Sequence, residues 1–221
     1  MNLQTIERET GSSPRASIIV LHGLGADGHD FVPLAGELDL AAAGPVRFVF
    51  PHAPTRPVTI NGGMVMRAWY DILGLDFTRR GEDEPGLRAS QREIEALIEH
   101  ETSRGVPASR IVLAGFSQGC AMALLTGLRH AEQLAGIVGL SGYLPLAVQT
   151  ASERHAANAH TPVFLAHGRL DPVVPFAAGL ATRQALQLLG HPVEWHEYAM
   201  PHAVCAQEIA DLNAWLLKVL A

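Results

Sequence analysis

Gly115-Phe-Ser-Gln-Gly119 sets one serine between two glycines. An apolar run, Arg110-Ile-Val-Leu-Ala-Gly115, gives way there to a helical pattern from Gln118 onward. A strand that turns at once into a helix holds its serine in a strained conformation, with the hydroxyl raised above the sheet. Ser117 is therefore the candidate nucleophile of an acyl transfer. The helix start sets the Gln118 backbone N–H, and the positive end of the helix dipole, beside the reacting carbonyl.

A serine hydroxyl attacks only when a base takes its proton, and the base needs a carboxylate to orient it. On this kind of turn the acid follows the serine in the chain and the histidine follows the acid. Of Glu132, Glu153, Asp171, Glu194, Glu197 and the acids of the C-terminal helix, only Asp171 comes directly after a buried-type strand, in His167-Gly-Arg-Leu-Asp-Pro-Val-Val-Pro175. Its competing role is to cap a helical turn opening at Pro172. Among the later histidines, His191 belongs to a Gly-His-Pro turn and His196 lies within a strand. His202, in Ala199-Met-Pro-His-Ala203 between the last strand and last helix, is left as the base, its alternative again being a cap. The tetrahedral intermediate needs a second N–H donor. Leu21-His-Gly-Leu-Gly-Ala-Asp-Gly28 breaks from strand into a glycine-rich turn and offers that of Leu24. The segment has neither GxGxxG nor a P-loop lysine, which argues against phosphate binding there. His22, His52 and His167 end strands and read as residues bonding local backbone.

Positioning these groups requires a sheet whose strands end together. Apolar runs at 16–22, 46–50, 110–115, 136–140 and 162–167 alternate with helical patterns at 31–42, 86–104, 118–129, 176–189 and 203–219. That alternation predicts an α/β fold, with a mostly parallel sheet and helices on both faces. The alternating run 192–198 suits an edge, and 3–8 suits a further edge strand. With no repeat, charge block or linker, residues 1–221 read as one domain. The long connection 51–85 is rich in Pro and Gly yet carries Met64, Met66, Trp69, Tyr70, Ile72, Leu73 and Leu75. It reads either as a small second core or as a flap walling a substrate groove.

Bulk properties narrow the partners. The net charge of -6 comes without a basic cluster, which argues against nucleic acid. No secretory pattern opens the chain and no apolar run reaches the ~20 residues of a membrane span, so a cytoplasmic protein is expected. Two cysteines are too few for a disulfide scaffold, and the eleven histidines lack ligand spacing, so no metal is expected.

Several segments occur in order: His22-Gly-Leu-Gly-Ala-Asp-Gly-His29, Pro51-His-Ala-Pro54 with Arg56-Pro-Val-Thr59, Trp69-Tyr-Asp-Ile72, Gly115 to Gly119, His167 to Pro175, and Pro201-His202. Together, over essentially the whole chain, they resemble the phospholipase/carboxylesterase family of small α/β-hydrolases, which includes bacterial carboxylesterases and acyl-protein thioesterases. The resemblance implies an α/β-hydrolase fold with a short or absent cap and the triad Ser117, Asp171 and His202. It implies an oxyanion hole at the Leu24 and Gln118 N–H groups, and an acyl groove along Trp69, Ile72, Leu73 and Leu75, with Val174 beside it. It implies no cofactor, an ester substrate that is a small molecule or lipid, and a homodimer as an option. Pro201 to Ile209 is similar to the bacterial branch, which ranks broad hydrolysis of small-to-medium carboxylic esters first. Lysophospholipase or acyl-protein thioesterase activity is the alternative, and a non-catalytic binding module on the same fold is the rival of another class. Cys120 stands where the family usually has a second glycine; it either fills core or tightens the acyl end of the pocket. Cys205, three residues after His202, is a possible point of attack for thiol reagents.

Overall fold

Strands that are apolar on both sides are stable only where helices cover both faces. The computed structural model, which describes residues 3–74 and 81–221, shows that arrangement. The strands are β1 (Thr5–Glu9), β2 (Ala16–Leu21), β3 (Val46–Pro51), β4 (Thr55–Val58), β5 (Met64–Arg67), β6 (Ile111–Phe116), β7 (Gly136–Leu140), β8 (Val163–Gly168) and β9 (Val193–Tyr198). Seven form one sheet in the order β1-β3-β2-β6-β7-β8-β9, and β4 pairs with β5 in a separate hairpin. Only β1 runs antiparallel to its neighbour in the large sheet. The alternating strand β9 lies at the edge, as its pattern suggested.

The helices are α1 (Leu34–Glu37), α2 (Glu84–Ser103), α3 (Gln118–Gly127), α4 (Ala147–Glu153), α5 (Phe176–Leu188) and α6 (Ala206–Val219). Leu97 of α2, Leu124 of α3 and Leu186 of α5 share one apolar cluster with Ile19 and Leu113 of the sheet. Leu34 of α1 and Leu212 and Trp215 of α6 share another with Phe48 and Val112, on the opposite face. The helix expected over 31–42 is reduced to the single turn α1, because the Gly28-to-Pro33 stretch is a chain of turns. The helix expected from 203 begins only at Ala206, the residues between serving the His202 loop. Helix α4 and the hairpin were not anticipated. The hairpin strands are four residues long, contain Pro57, and turn through Gly62 and Gly63 at φ 65° and 79°, so they carry little strand signal.

A buried charge cluster locks one rim of the sheet. The Glu101 side chain, 1% exposed, pairs with Arg47 at 2.9 Å and Arg104 at 3.0 Å. It also accepts the Ser17 hydroxyl, so the ion pair is fully hydrogen-bonded and its desolvation is offset.

Register decides which loops meet. Leu21 lies opposite Gly115, so the His22 turn emerges beside the Ser117 turn. Gly168 lies opposite Tyr198, so the loops bearing Asp171 and His202 leave the sheet side by side. All are carboxyl ends of parallel strands, where sites form in open α/β sheets.

Candidate active site

Ser117 has φ 56° and ψ -115°, a conformation strained for any side chain, at the junction of β6 and α3. The junction closes because Gly119 is bare: a Cβ there would run into the Leu21 carbonyl. As the first residue of α3, Gln118 keeps an N–H without a helical partner. Gly23 packs against Ser117, where a Cβ would stand 3.4 Å from the serine's own. In the same turn the Gly25 N–H is held by the Arg67 carbonyl at 2.9 Å and that of Ala26 by Gly23 at 3.3 Å. The Leu24 N–H makes no backbone hydrogen bond among the described residues. Among the described residues, the N–H groups of Gln118 and Leu24, on the two turns that meet at Gly23 and Ser117, are thus without a backbone partner.

Asp171 and His202 meet directly, His202 Nδ1 lying 2.6 Å from Asp171 Oδ2. The Asp171 side chain is wholly buried and that of His202 is 15% exposed. The other carboxylate oxygen of Asp171 accepts the N–H groups of Val173 at 2.8 Å and Val174 at 2.9 Å. Asp171 therefore both caps a turn and orients the imidazole, and helix α5 starts only later, at Phe176. His202 lies outside the cap of α6, which falls at Cys205. Gly168 permits the two loops to touch, since a Cβ there would strike the Met200 carbonyl. The His202 ring packs against Phe116, the residue before Ser117, with centroids 4.7 Å apart. No hydrogen bond joins the Ser117 and His202 side chains among the described residues. Such bonds often tighten only when substrate is bound.

The histidines at strand ends bond to backbone, as expected. His22 Nδ1 donates to the Gly23 carbonyl at 2.7 Å and its Nε2 accepts the Ala53 N–H at 3.0 Å. His167 Nε2 donates to the Val174 carbonyl at 2.9 Å. Burial lowers the pKa of both, which keeps the rings neutral and their donor roles constant.

The expected groove residues divide. Trp69 is fully buried and does not wall an open groove. Its Nε1 donates to the His22 carbonyl at 2.9 Å, and its N–H to the Gln118 side chain at 2.7 Å. Its carbonyl accepts the Ser90 hydroxyl. A tryptophan whose indole and backbone polar groups are all satisfied internally is a scaffold beneath the His22 turn. Ile72 and the exposed Leu73 line a narrow crevice with Tyr70 and Tyr143, whose hydroxyls meet at 2.5 Å. Val174 is buried, its backbone bonded to Asp171 and His167. Leu75 lies outside the described residues. The long connection divides: Trp69 and Tyr70 join the core cluster of the main sheet, while Met64 and Val65 are exposed at the hairpin end.

The Gln118 side chain was missed. Besides accepting from Trp69 it donates to the Tyr70 carbonyl at 2.8 Å, stapling the connection to the serine turn. An amide directly after the candidate nucleophile was the only available signal. Cys120 is buried, with Sγ wedged against Gly139 and Gly142, which is the core reading of that departure. One group, Asp27, His29 and His52, brings metal-type ligand atoms within 4.8 Å of one another. Its donors are partly occupied: Asp27 holds His29 at 3.0 Å, and His52 Nδ1 accepts the Gly28 N–H at 3.1 Å. Among the described residues no helix is long and apolar enough to cross a membrane.

Residues 3–220 match the phospholipase/carboxylesterase family. The chain is 43% identical to acyl-protein thioesterase 1 of Yarrowia lipolytica, covering 91% of this chain and 90% of that protein. It is 42% identical to the protein of the same name from Mycosarcoma maydis, covering 97% and 95%. Among solved structures, acyl-protein thioesterase 2 of Zea mays superposes with a TM-score of 0.86 at 30% identity, over 99% of each chain. Arabidopsis thaliana SOBER1 superposes at 0.89, also at 30% identity, over 94% of this chain and all of that one. Sequence, fold and strand-end geometry agree: the chain is a hydrolase and belongs to the phospholipase/carboxylesterase family of α/β-hydrolases.

Proposed function

We propose that this protein is an acyl-thioesterase and esterase that works through an acyl-enzyme on Ser117, with the whole chain acting as one catalytic domain. The observation that carries the reading is the strained Ser117 turn beside the 2.6 Å Asp171–His202 pair, in a chain similar along its length to acyl-protein thioesterases. The relatives favour thioester hydrolysis over the broad carboxylesterase that the sequence ranked first.

In this reading Ser117 Oγ attacks the acyl carbonyl while His202 Nε2 takes its proton. The oxyanion lies between the Leu24 and Gln118 N–H groups, which cost no reorganisation because the turn already holds them. Asp171 keeps the Nδ1 proton of His202 in place and stabilises the imidazolium. The proton then passes to the leaving thiolate or alkoxide, and water repeats the cycle on the acyl-enzyme.

A short-chain carboxylesterase is the second reading, in keeping with the phospholipase/carboxylesterase family matched over residues 3–220. Matched S-acyl and O-acyl substrates of increasing chain length separate the two. Each further buried CH₂ is worth about 0.8 kcal/mol, roughly fourfold in kcat/KM. A thioesterase for long chains keeps rising past about eight carbons and prefers the S-acyl series. A plateau by about four to six carbons without sulfur preference favours the carboxylesterase. Full activity in Ser117→Ala would overturn both.

A further inference from the structure

Between the start of the chain, the hairpin and the first turns of α2 lies a cavity of about 460 Å³, within the range of small-molecule sites. Its lining residues include three arginines, Arg56, Arg67 and Arg92, and His52, against one acidic residue, Glu93. These cations are poorly matched inside the protein. Arg56 Nε is buried without a hydrogen-bond partner among the described residues. Asp83 stands 3.9 Å from Arg56 and already accepts the N–H groups of Asp71 and Gly86. Burial lowers the pKa of Arg56, which Asp83 and Asp71 only partly oppose. Arg67 gives Nη1 to the Ala53 carbonyl at 2.7 Å and has no carboxylate partner among the described residues. Arg92, exposed on α2, likewise makes no ion pair among them. Glu93 is itself engaged in an interaction, and a single carboxylate cannot balance three guanidinium charges.

We propose that this cavity is a second ligand site, separate from Ser117, which takes a small oxyanion-bearing molecule, a phosphate or carboxylate, on the forks of Arg56, Arg67 and Arg92. Guanidinium groups match such oxygens bidentately, and a partly buried fork without a partner gains most from one. The site also backs onto the oxyanion turn. The His52 ring accepts the Gly28 N–H at 3.1 Å, and the Arg67 carbonyl holds the Gly25 N–H at 2.9 Å. The Ser90 hydroxyl, also on the cavity wall, holds the Trp69 carbonyl under His22. A ligand gripping Arg67 therefore braces the turn that carries Leu24 without entering the acyl site.

The test is thermal unfolding of the full chain in sodium phosphate, sodium succinate and sodium chloride at matched ionic strength and pH. The expected result is a saturable rise in Tm with phosphate or succinate beyond that in chloride. Whichever anion responds at lower concentration assigns the ligand chemistry. Arg92→Glu, on an exposed position that the fold tolerates, should raise the half-saturating concentration roughly tenfold or more. Arg8→Glu, an equal change of charge on β1, should leave it unchanged. The proposal is overturned if neither anion saturates beyond chloride, if Arg92→Glu responds like the parent, or if Arg8→Glu weakens the response as much.

Discussion

Glu208, on the first turn of α6, is wholly buried, and neither carboxylate oxygen forms a hydrogen bond of normal geometry among the described residues. Burial pushes its carboxyl from 4.5 up to about 8, the Cys205 backbone supplying only a weak opposing pull. A carboxyl raised in the folded state is still protonated when the unfolded chain has already ionised. Above pH 4.5 the unfolded state therefore binds fewer protons than the folded one, and stability falls as pH rises until the folded group ionises near 8. The gap of about 3.5 pH units, at about 1.4 kcal/mol per unit, makes the cost at pH 8 about 5 kcal/mol. Glu208→Gln keeps the shape and removes the titration. Urea unfolding of parent and variant at pH 5, 6, 7 and 8 should show near-equal stability at pH 5. The variant's advantage should then widen by about 1.4 kcal/mol per pH unit. A difference that stays constant with pH, or an advantage that shrinks as pH rises, would refute the assignment of a neutral buried acid.

Asp171→Asn should leave the fold intact but lower kcat by about 10⁴, since an amide can select the wrong imidazole tautomer; a loss under tenfold in ester assays would count against the triad. Gln118→Ala retains the backbone donor but orphans the buried Trp69 N–H and Tyr70 carbonyl. It should cost about 2–6 kcal/mol in denaturant unfolding, and an unchanged midpoint would show the staple to be dispensable. Cys120 is buried with its thiol pushed up to about 12, whereas Cys205 is partly exposed. Iodoacetamide on the native protein at pH 8 should therefore modify Cys205 alone, as read by peptide mass; labelled Cys120 would contradict the packing.

Chain order and local chemistry carried Ser117, Asp171 and His202 from sequence to spatial neighbourhood. Strand-to-helix transitions, and loops at the ends of apolar strands, are local patterns that a sheet of fixed handedness gathers at one edge. The same locality made the buried strands legible, since runs apolar on both faces admit few other environments. The hairpin and the interior of the long connection were not legible in this way. Four-residue strands containing a proline have too little periodicity to be recognised.

The sequence alone pointed to a hydrolase, because a candidate nucleophile, base and acid are recognisable by residue type and position. Only the tertiary structure decided what Trp69 and Gln118 do. A tryptophan in an apolar stretch reads equally as groove or core until the bond of its indole to His22 and those of its backbone to Gln118 and Ser90 are seen. Those partners lie 21 to 49 residues away in the chain. No local pattern encodes contacts at such separations; they exist only once the sheet has brought the turns together and excluded water from between them.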